Sequence, residues 1–355
     1  MMMSSNPFHR INISLVILPS LFLTAYYLFA SFPRSPIPPI IHTSLARLPS
    51  SSPSWNIYPE NFYNGGAYVN LPLGRARILV RYWLIGPESG RRVVLIHGLS
   101  IPAIVWKDVA PVLASRGYRV LLYDLYGRGY SDAPQVTYDT TLFTTQLALL
   151  MQHVKWDNAF IVGLSMGGGI AAAFSAHFPH LVNGKVAFVA SAGIMESSDI
   201  SRTAKFMSSP LVQTVTALPP FQHYMRRLAN ASKPAEFQEV NPIQEILRLQ
   251  SAHLPHYNAA VASSLRDGPI RGLHFAFQEL ACTSNQVLII HGTADDTVLY
   301  KFASKIRDLV PQADLVTISD GGHDITITHA PDVSAALLRF LADNYSYKPA
   351  QPSLA

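Results

Sequence analysis

Ser165 stands in Gly163-Leu-Ser165-Met-Gly167, a G-x-S-x-G spacing. That pattern lifts a serine onto a strained strand-to-helix turn with its hydroxyl clear of the sheet. The two glycines remove Cβ atoms that would crowd such a turn. A helix N-terminus following the turn offers free N–H groups and a positive dipole end, suited to an oxyanion. A serine hydroxyl is a weak nucleophile until a base takes its proton, so a histidine must come within reach. Two downstream loops hold candidates: His291-Gly-Thr-Ala-Asp295-Asp296-Thr-Val298 and Ser319-Asp320-Gly-Gly-His323-Asp324. The chain order Ser, Asp, His is the order that accompanies a G-x-S-x-G turn. An upstream loop, His97-Gly98-Leu99-Ser100, can turn at its glycine and point an N–H inward.

Each of these loops follows a short apolar run: 93–96, 160–162, 287–290 and 315–318. Runs 120–123 and 186–189 have the same character, and 77–84 is rich in Val, Ile, Tyr and Trp. Wholly apolar runs of this length suit strands buried on both faces of a parallel sheet. Helical patterns lie between them at 105–116, 140–154, 166–178, 300–309 and 332–343. Strand alternating with helix predicts an α/β fold, a mostly parallel sheet with helices on both faces. Sites in such sheets form at the carboxyl ends of the strands, where the candidate loops fall. Between 196 and 280 the alternation stops, and a helical pattern broken by prolines predicts a cap inserted before the last two strands.

The chain has 355 residues, 49% hydrophobic and only 14% charged, with a formal charge of +5. Its basic residues are scattered, without the clusters or aromatic interleaving that nucleic-acid sites need, so no nucleic-acid partner is expected. Cys282 is the only cysteine, which excludes an intrachain disulfide and a Cys-based zinc site, and it reads as a small buried hydrophobe. The cap histidines His223, His253, His256 and His274 lack carboxylate spacing for a metal. No cofactor and no metal is expected.

Residues 11–32 carry no charge and are about as long as a bilayer-spanning helix. The expectation is a single-pass membrane anchor over 1–34, with the membrane as partner and location. The rival is a signal peptide, cleaved to release a secreted protein. A Pro/Ser-rich linker is expected over 35–66, the α/β core over 67–195 and 281–347, the cap over 196–280, and a tail over 348–355.

From about 67 to 345 the chain resembles the α/β-hydrolase superfamily in its capped branch. The residues that carry the resemblance come in a fixed order. They are His97-Gly98, Asp124-Leu-Tyr-Gly127-Arg-Gly129-Tyr-Ser131, the Ser165 turn, Gly292-Thr-Ala-Asp295-Asp-Thr-Val298, and Gly321-Gly322-His323. With its N-terminal run, the layout is similar to membrane-tethered monoacylglycerol lipases. The resemblance implies that Ser165 is the nucleophile and His323 the base and later the acid. It implies that Asp295 orients the imidazole and that the backbone N–H groups of Leu99 and Met166 receive the oxyanion. Asp296 is the rival acid. His97 and His291 read as hydrogen-bonded loop histidines, Asp320 and Asp324 as solvated neighbours of the base, and Asp124 and Asp132 as turn formers.

The expected function is a serine hydrolase that cleaves a lipophilic carboxylic ester through an acyl-enzyme. Relatives of the capped branch imply the alternatives: a C–C bond hydrolase of ring-cleavage products, an acyltransferase, or cofactor-free peroxidase chemistry. A non-catalytic receptor or scaffold is the reading from a different class, since fold alone does not imply function.

Overall fold

The computed structural model describes residues 17–28, 38–216, 218, 220, 221, 223, 224, 227 and 241–342. Residues 1–38 form one unit and 39–355 another. In the first unit, residues 17–28 are helical. Among the described residues no helix is long and apolar enough to cross a membrane. The reason is length: twelve residues rise about 18 Å, against a hydrocarbon core of about 30 Å. This overturns the expected anchor over 1–34, the layout similar to membrane-tethered lipases, and the membrane as partner and location. Residues 11–16 and 29–32 of the apolar run lie outside the described residues.

The second unit is built on ten strands among the described residues: β1 Ile41–His42, β2 Gly66–Leu73, β3 Ala76–Ile85, β4 Arg91–Ile96, β5 Tyr118–Tyr123, β6 Ala133–Pro134, β7 Ala159–Leu164, β8 Val182–Val189, β9 Gln286–Gly292 and β10 Ala313–Ile318. Eight of them form one sheet in the order β10-β9-β8-β7-β4-β5-β3-β2, and β1 pairs with β6. From β5 to β10 the pairing is parallel. At the other edge β3 runs antiparallel to both β5 and β2. The two residues between β2 and β3 explain that edge, because Gly74 adopts φ +56° in the turn, as short hairpin loops require.

The apolar runs serve both faces at once. Val94 and Ile96 of β4 pack in one core cluster, Val93 and Leu95 in the other. A strand whose successive side chains point to opposite faces, each covered by helices, must be apolar at every position. Burying each Val, Leu or Ile side chain there contributes about 1.5–3 kcal/mol. On the first face lie helices α1 Thr140–His153 and α2 Met166–His177. Asp139 starts α1, its Oδ1 accepting from Leu142 N–H at 2.8 Å.

The helical cap falls between β8 and β9, ahead of the last two strands. Its described part includes Arg202–Met207, Pro210–Thr216, α3 Pro242–His253, α4 Tyr257–Asp267 and α5 His274–Ala281. Asn241 starts α3 by accepting from Ile243 N–H at 2.9 Å, with Pro242 as the first helical residue. The expected α/β-hydrolase architecture is therefore present, cap included.

Two local expectations differ. Part of the stretch read as a linker over 35–66 is packed core, because Leu45, Tyr58 and Tyr63 are buried with Trp83. Prolines made this stretch look extended, but its aromatic side chains supply what the sheet face lacks. Cys282, read as buried, is exposed, since it follows the last turn of α5. The tail over 348–355 lies outside the described residues.

Candidate active site

Ser165 sits between β7 and α2 with φ +56° and ψ −121°, a backbone state that L-residues hold only under constraint. The constraint is visible. Ser165 N–H donates to Val189 O at 2.9 Å, while its own carbonyl accepts from Gly168 N–H at 2.9 Å and Ala192 N–H at 3.0 Å. A Cβ on Gly163 would lie 2.1 Å from Gly167 O, and one on Gly167 would lie 2.4 Å from Ile96 O. Only hydrogen fits at both places.

His323 reaches this turn from the loop after β10. Its Nε2 lies 2.9 Å from Ser165 Oγ and its Nδ1 lies 2.8 Å from Asp295 Oδ2. A carboxylate accepts, so Nδ1 carries the proton and the Nε2 lone pair faces the serine hydroxyl. That is the tautomer a general base needs. The loops after β9 and β10 are tied together by Ala294 N–H to Gly321 O at 2.9 Å, Thr293 N–H to Ile318 O at 3.0 Å and Asp320 N–H to Thr293 Oγ1 at 2.9 Å.

Asp295 is buried, and its Oδ1 accepts from the N–H groups of Thr297 at 2.9 Å and Val298 at 2.8 Å. Burial alone would raise its pKa. The hydrogen bonds from His291, His323 and the backbone outweigh that and hold the carboxyl below the usual range. Asp296, the rival, is exposed and meets the hydroxyl of Thr297, not the imidazole.

Gly98 packs so close to the turn that a Cβ there would stand 3.2 Å from Ser165 Cβ. His97, wholly buried, donates from Nδ1 to Gly98 O at 2.9 Å and accepts at Nε2 from Leu125 N–H at 2.9 Å. Burial pushes its pKa down to about 3, so it is neutral, with the one tautomer its two partners allow. Gly98 O belongs to the same peptide as Leu99 N–H, so His97 orients that amide. Met166 is the first residue of α2, and its N–H has no intrahelical acceptor. Ser165, His323, Asp295 and two candidate oxyanion donors are thus gathered at the carboxyl ends of β4, β7, β9 and β10.

Residues 91–330 match the family described as the alpha/beta hydrolase fold. The chain belongs to the α/β-hydrolase family. It is a hydrolytic enzyme of this fold. The chain is 27% identical over 267 residues to 2-hydroxymuconate semialdehyde hydrolase of Pseudomonas sp. (strain CF600), covering 72% of this chain and 88% of that protein. It is 26% identical over 247 residues to 2-hydroxy-6-oxo-2,4-heptadienoate hydrolase of Pseudomonas putida, covering 67% of this chain and 84% of that one. In fold it is similar to the meta-cleavage product hydrolase from Pseudomonas fluorescens IP01, with a TM-score of 0.56 at 23% identity over 74% of this chain and 94% of that chain.

Several residues behave differently from their sequence reading. Asp124 is no simple turn former. It is buried, accepts from Ala103 N–H and Tyr130 N–H at 2.8 Å each and from Tyr58 OH at 3.1 Å, and burial pushes its pKa up to about 7. His291 is more than a loop histidine, because it stands beside the candidate acid. Its position four residues before Asp295 was the only signal. Of the cap histidines, His256 stacks on His42 with ring centroids 4.6 Å apart. Among the described residues no group of three or more His, Cys, Asp or Glu could hold a metal ion.

Proposed function

We propose that this α/β-hydrolase works by serine nucleophilic attack on a substrate carbonyl carbon, with Ser165 as nucleophile, His323 as base and Asp295 as its orienting acid. The observation that carries the reading is the His323 imidazole hydrogen-bonded on one side to Ser165 and on the other to Asp295. Ser165 Oγ bonds to the carbonyl carbon as its proton passes to His323 Nε2. The carbonyl oxygen becomes an oxyanion, received by the N–H groups of Leu99 and Met166. Collapse breaks the bond to the leaving group, which takes the proton from His323 and leaves an acyl-enzyme. Water then repeats the sequence in reverse roles and frees Ser165. Asp295 stabilises the imidazolium in both halves.

The bond we propose to be cleaved is a carbon–carbon bond beside a ketone. The reading from sequence favoured a lipophilic ester. Support for the carbon–carbon bond comes from the relatives, two of which are named as hydrolases of 2-hydroxymuconate semialdehyde and of a 2-hydroxy-6-oxo-dienoate. A carbon leaving group departs only where conjugation spreads its charge, so the dienoate must first pass to its 2-oxo tautomer, the 2-hydroxyl losing a proton and C5 gaining one. The electron pair left on C5 when the C5–C6 bond breaks then spreads to the 2-oxo oxygen.

The test offers purified protein a 2-hydroxy-6-oxo-dienoate and a series of p-nitrophenyl esters. Loss of the dienoate chromophore should proceed with the higher kcat/KM, and Ser165→Ala should abolish turnover of both. Ester turnover alone would return the assignment to an esterase. Turnover retained in a folded Ser165→Ala variant would remove the mechanism.

A further inference from the structure

A cluster of polar side chains outside the hydrogen-bond chain of Ser165 joins the cap to the loop bearing Leu99. Arg128 is wholly buried, and burial pushes its pKa down to about 10, which leaves it cationic at neutral pH. Among the described residues no carboxylate forms an ion pair with it. Its three nitrogens go to three different parts of the molecule. Nε donates to Leu99 O at 2.9 Å, Nη1 to Tyr126 O at 3.0 Å and Nη2 to Ser264 Oγ on α4 at 2.7 Å. The rings of Tyr138 and Phe143 lie 5.5 and 5.6 Å from the guanidinium carbon.

The next carbonyl is held from the cap as well. Ser100 O accepts from Tyr257 OH at 2.8 Å and from Gln250 Nε2 at 3.4 Å. The same Gln250 accepts at Oε1 from Gly129 N–H at 2.7 Å, which ties α3 to the loop that carries Arg128. Gln250, Tyr257 and Ser264 are all buried. A buried cation facing only neutral oxygens is costly to keep, and an apolar side chain of similar volume would fill the space at lower cost. What an apolar side chain could not do is hold a backbone carbonyl at a set angle.

We propose that Arg128, Gln250 and Tyr257 are positioning residues that lock the aim of the Leu99 N–H to the seating of the cap. This rests on the reading of Leu99 N–H as an oxyanion donor given above. Two consecutive carbonyls, Leu99 O and Ser100 O, are pinned from the side where the cap sits. The peptide before them is pinned by His97 through Gly98 O. A shift of α3 or α4 against the core therefore tilts the amide that receives the oxyanion. Cap seating and charge stabilisation are one event, so a substrate that holds the cap closed also sharpens the oxyanion hole. That makes the cap a determinant of rate as well as of substrate shape.

The test measures inactivation by a short-chain alkyl fluorophosphonate, which is too small to depend on the walls of the cap. In that reaction Ser165 Oγ bonds to phosphorus, the P–F bond breaks, fluoride leaves and the proton passes to His323, while the phosphoryl oxygen occupies the oxyanion position. Tyr257→Phe and Gln250→Leu should each lower the maximal inactivation rate about tenfold, less than the two to three orders lost with an oxyanion donor itself. The half-saturating probe concentration should hold, and thermal melting should confirm folding. Arg128→Lys, which keeps the charge and one donor, should recover part of the loss seen in Arg128→Met. Labelling rates unchanged in Tyr257→Phe and Gln250→Leu, with labelled wild-type protein, would overturn the lock alone. Wild-type protein that resists labelling would remove the serine mechanism and the lock with it.

Discussion

Asp295 Oδ2 lies 3.3 Å from Nε2 of His291, a wholly buried histidine whose same nitrogen donates to Val298 O at 2.7 Å. The carboxylate oxygen that faces His323 therefore has a second ring nitrogen beside it. His291→Phe fills the space and removes that donor. We expect kcat/KM to fall about tenfold, well short of the roughly ten-thousandfold loss expected when a carboxylate of this kind is replaced by its amide. Steady-state kinetics of a folded His291→Phe variant measure this, and an unchanged kcat/KM would show that His291 only packs.

The two neighbouring aspartates should separate cleanly. Asp295→Asn should cost about four orders of magnitude in kcat, since the amide can stabilise the wrong imidazole tautomer. Asp296→Asn should leave kcat within about twofold, as exposed substitutions away from the chemistry usually do. Steady-state kinetics of the two variants side by side decide between them.

His97 and Asp124 predict opposite pH dependences of stability that overlap. His97 has its folded pKa pushed from 6.5 down to about 3, so its contribution is full above about 6.5 and is lost as pH falls toward 3. Asp124 has its folded pKa raised from 3.8 to about 7, so its contribution is full below about 3.8 and is lost as pH rises toward 7. Between about pH 4 and 6.5 the two slopes cancel, each being about 1.4 kcal/mol per pH unit. Urea midpoints for Asp124→Asn should fall steeply with acid across that window. Those for His97→Gln should fall instead as pH rises. Parallel slopes in the two variants would contradict the assignment.

Gly163→Ala tests the serine turn without touching its chemistry. The added methyl would stand 2.1 Å from Gly167 O, in backbone that cannot move aside without shifting α2. The expected cost is about 3 kcal/mol or more, at the upper end of overpacking effects. Thermal melting of the variant against wild type measures it, and an unchanged melting temperature would refute the close fit.

The sheet and its loops were legible in the sequence because strands covered on both faces must be apolar at every position. Runs such as 93–96 and 287–290 cannot be confused with surface strands, and the loops that follow them fall at the carboxyl edge by chain order alone. The residue types for nucleophilic hydrolysis, Ser165, His323 and a pair of aspartates, were also legible, because glycines mark the turns that hold them. The cap was visible only as an interruption of the strand pattern.

Tertiary structure decided the rest, for reasons that lie in long-range contacts. Which aspartate meets His323 depends on backbone direction within one loop, where adjacent side chains point apart. Tyr58 and Tyr63 are core because their rings find Trp83 across the chain, which no local pattern of prolines and serines reveals. The N-terminal run looked long enough to span a bilayer, yet composition measures hydropathy and not the length of a helix. Arg128, Gln250 and Tyr257 stood in the sequence as an ordinary loop cation and two helix side chains. Only packing brings the cap onto Leu99 and Ser100, and only there do those side chains acquire partners.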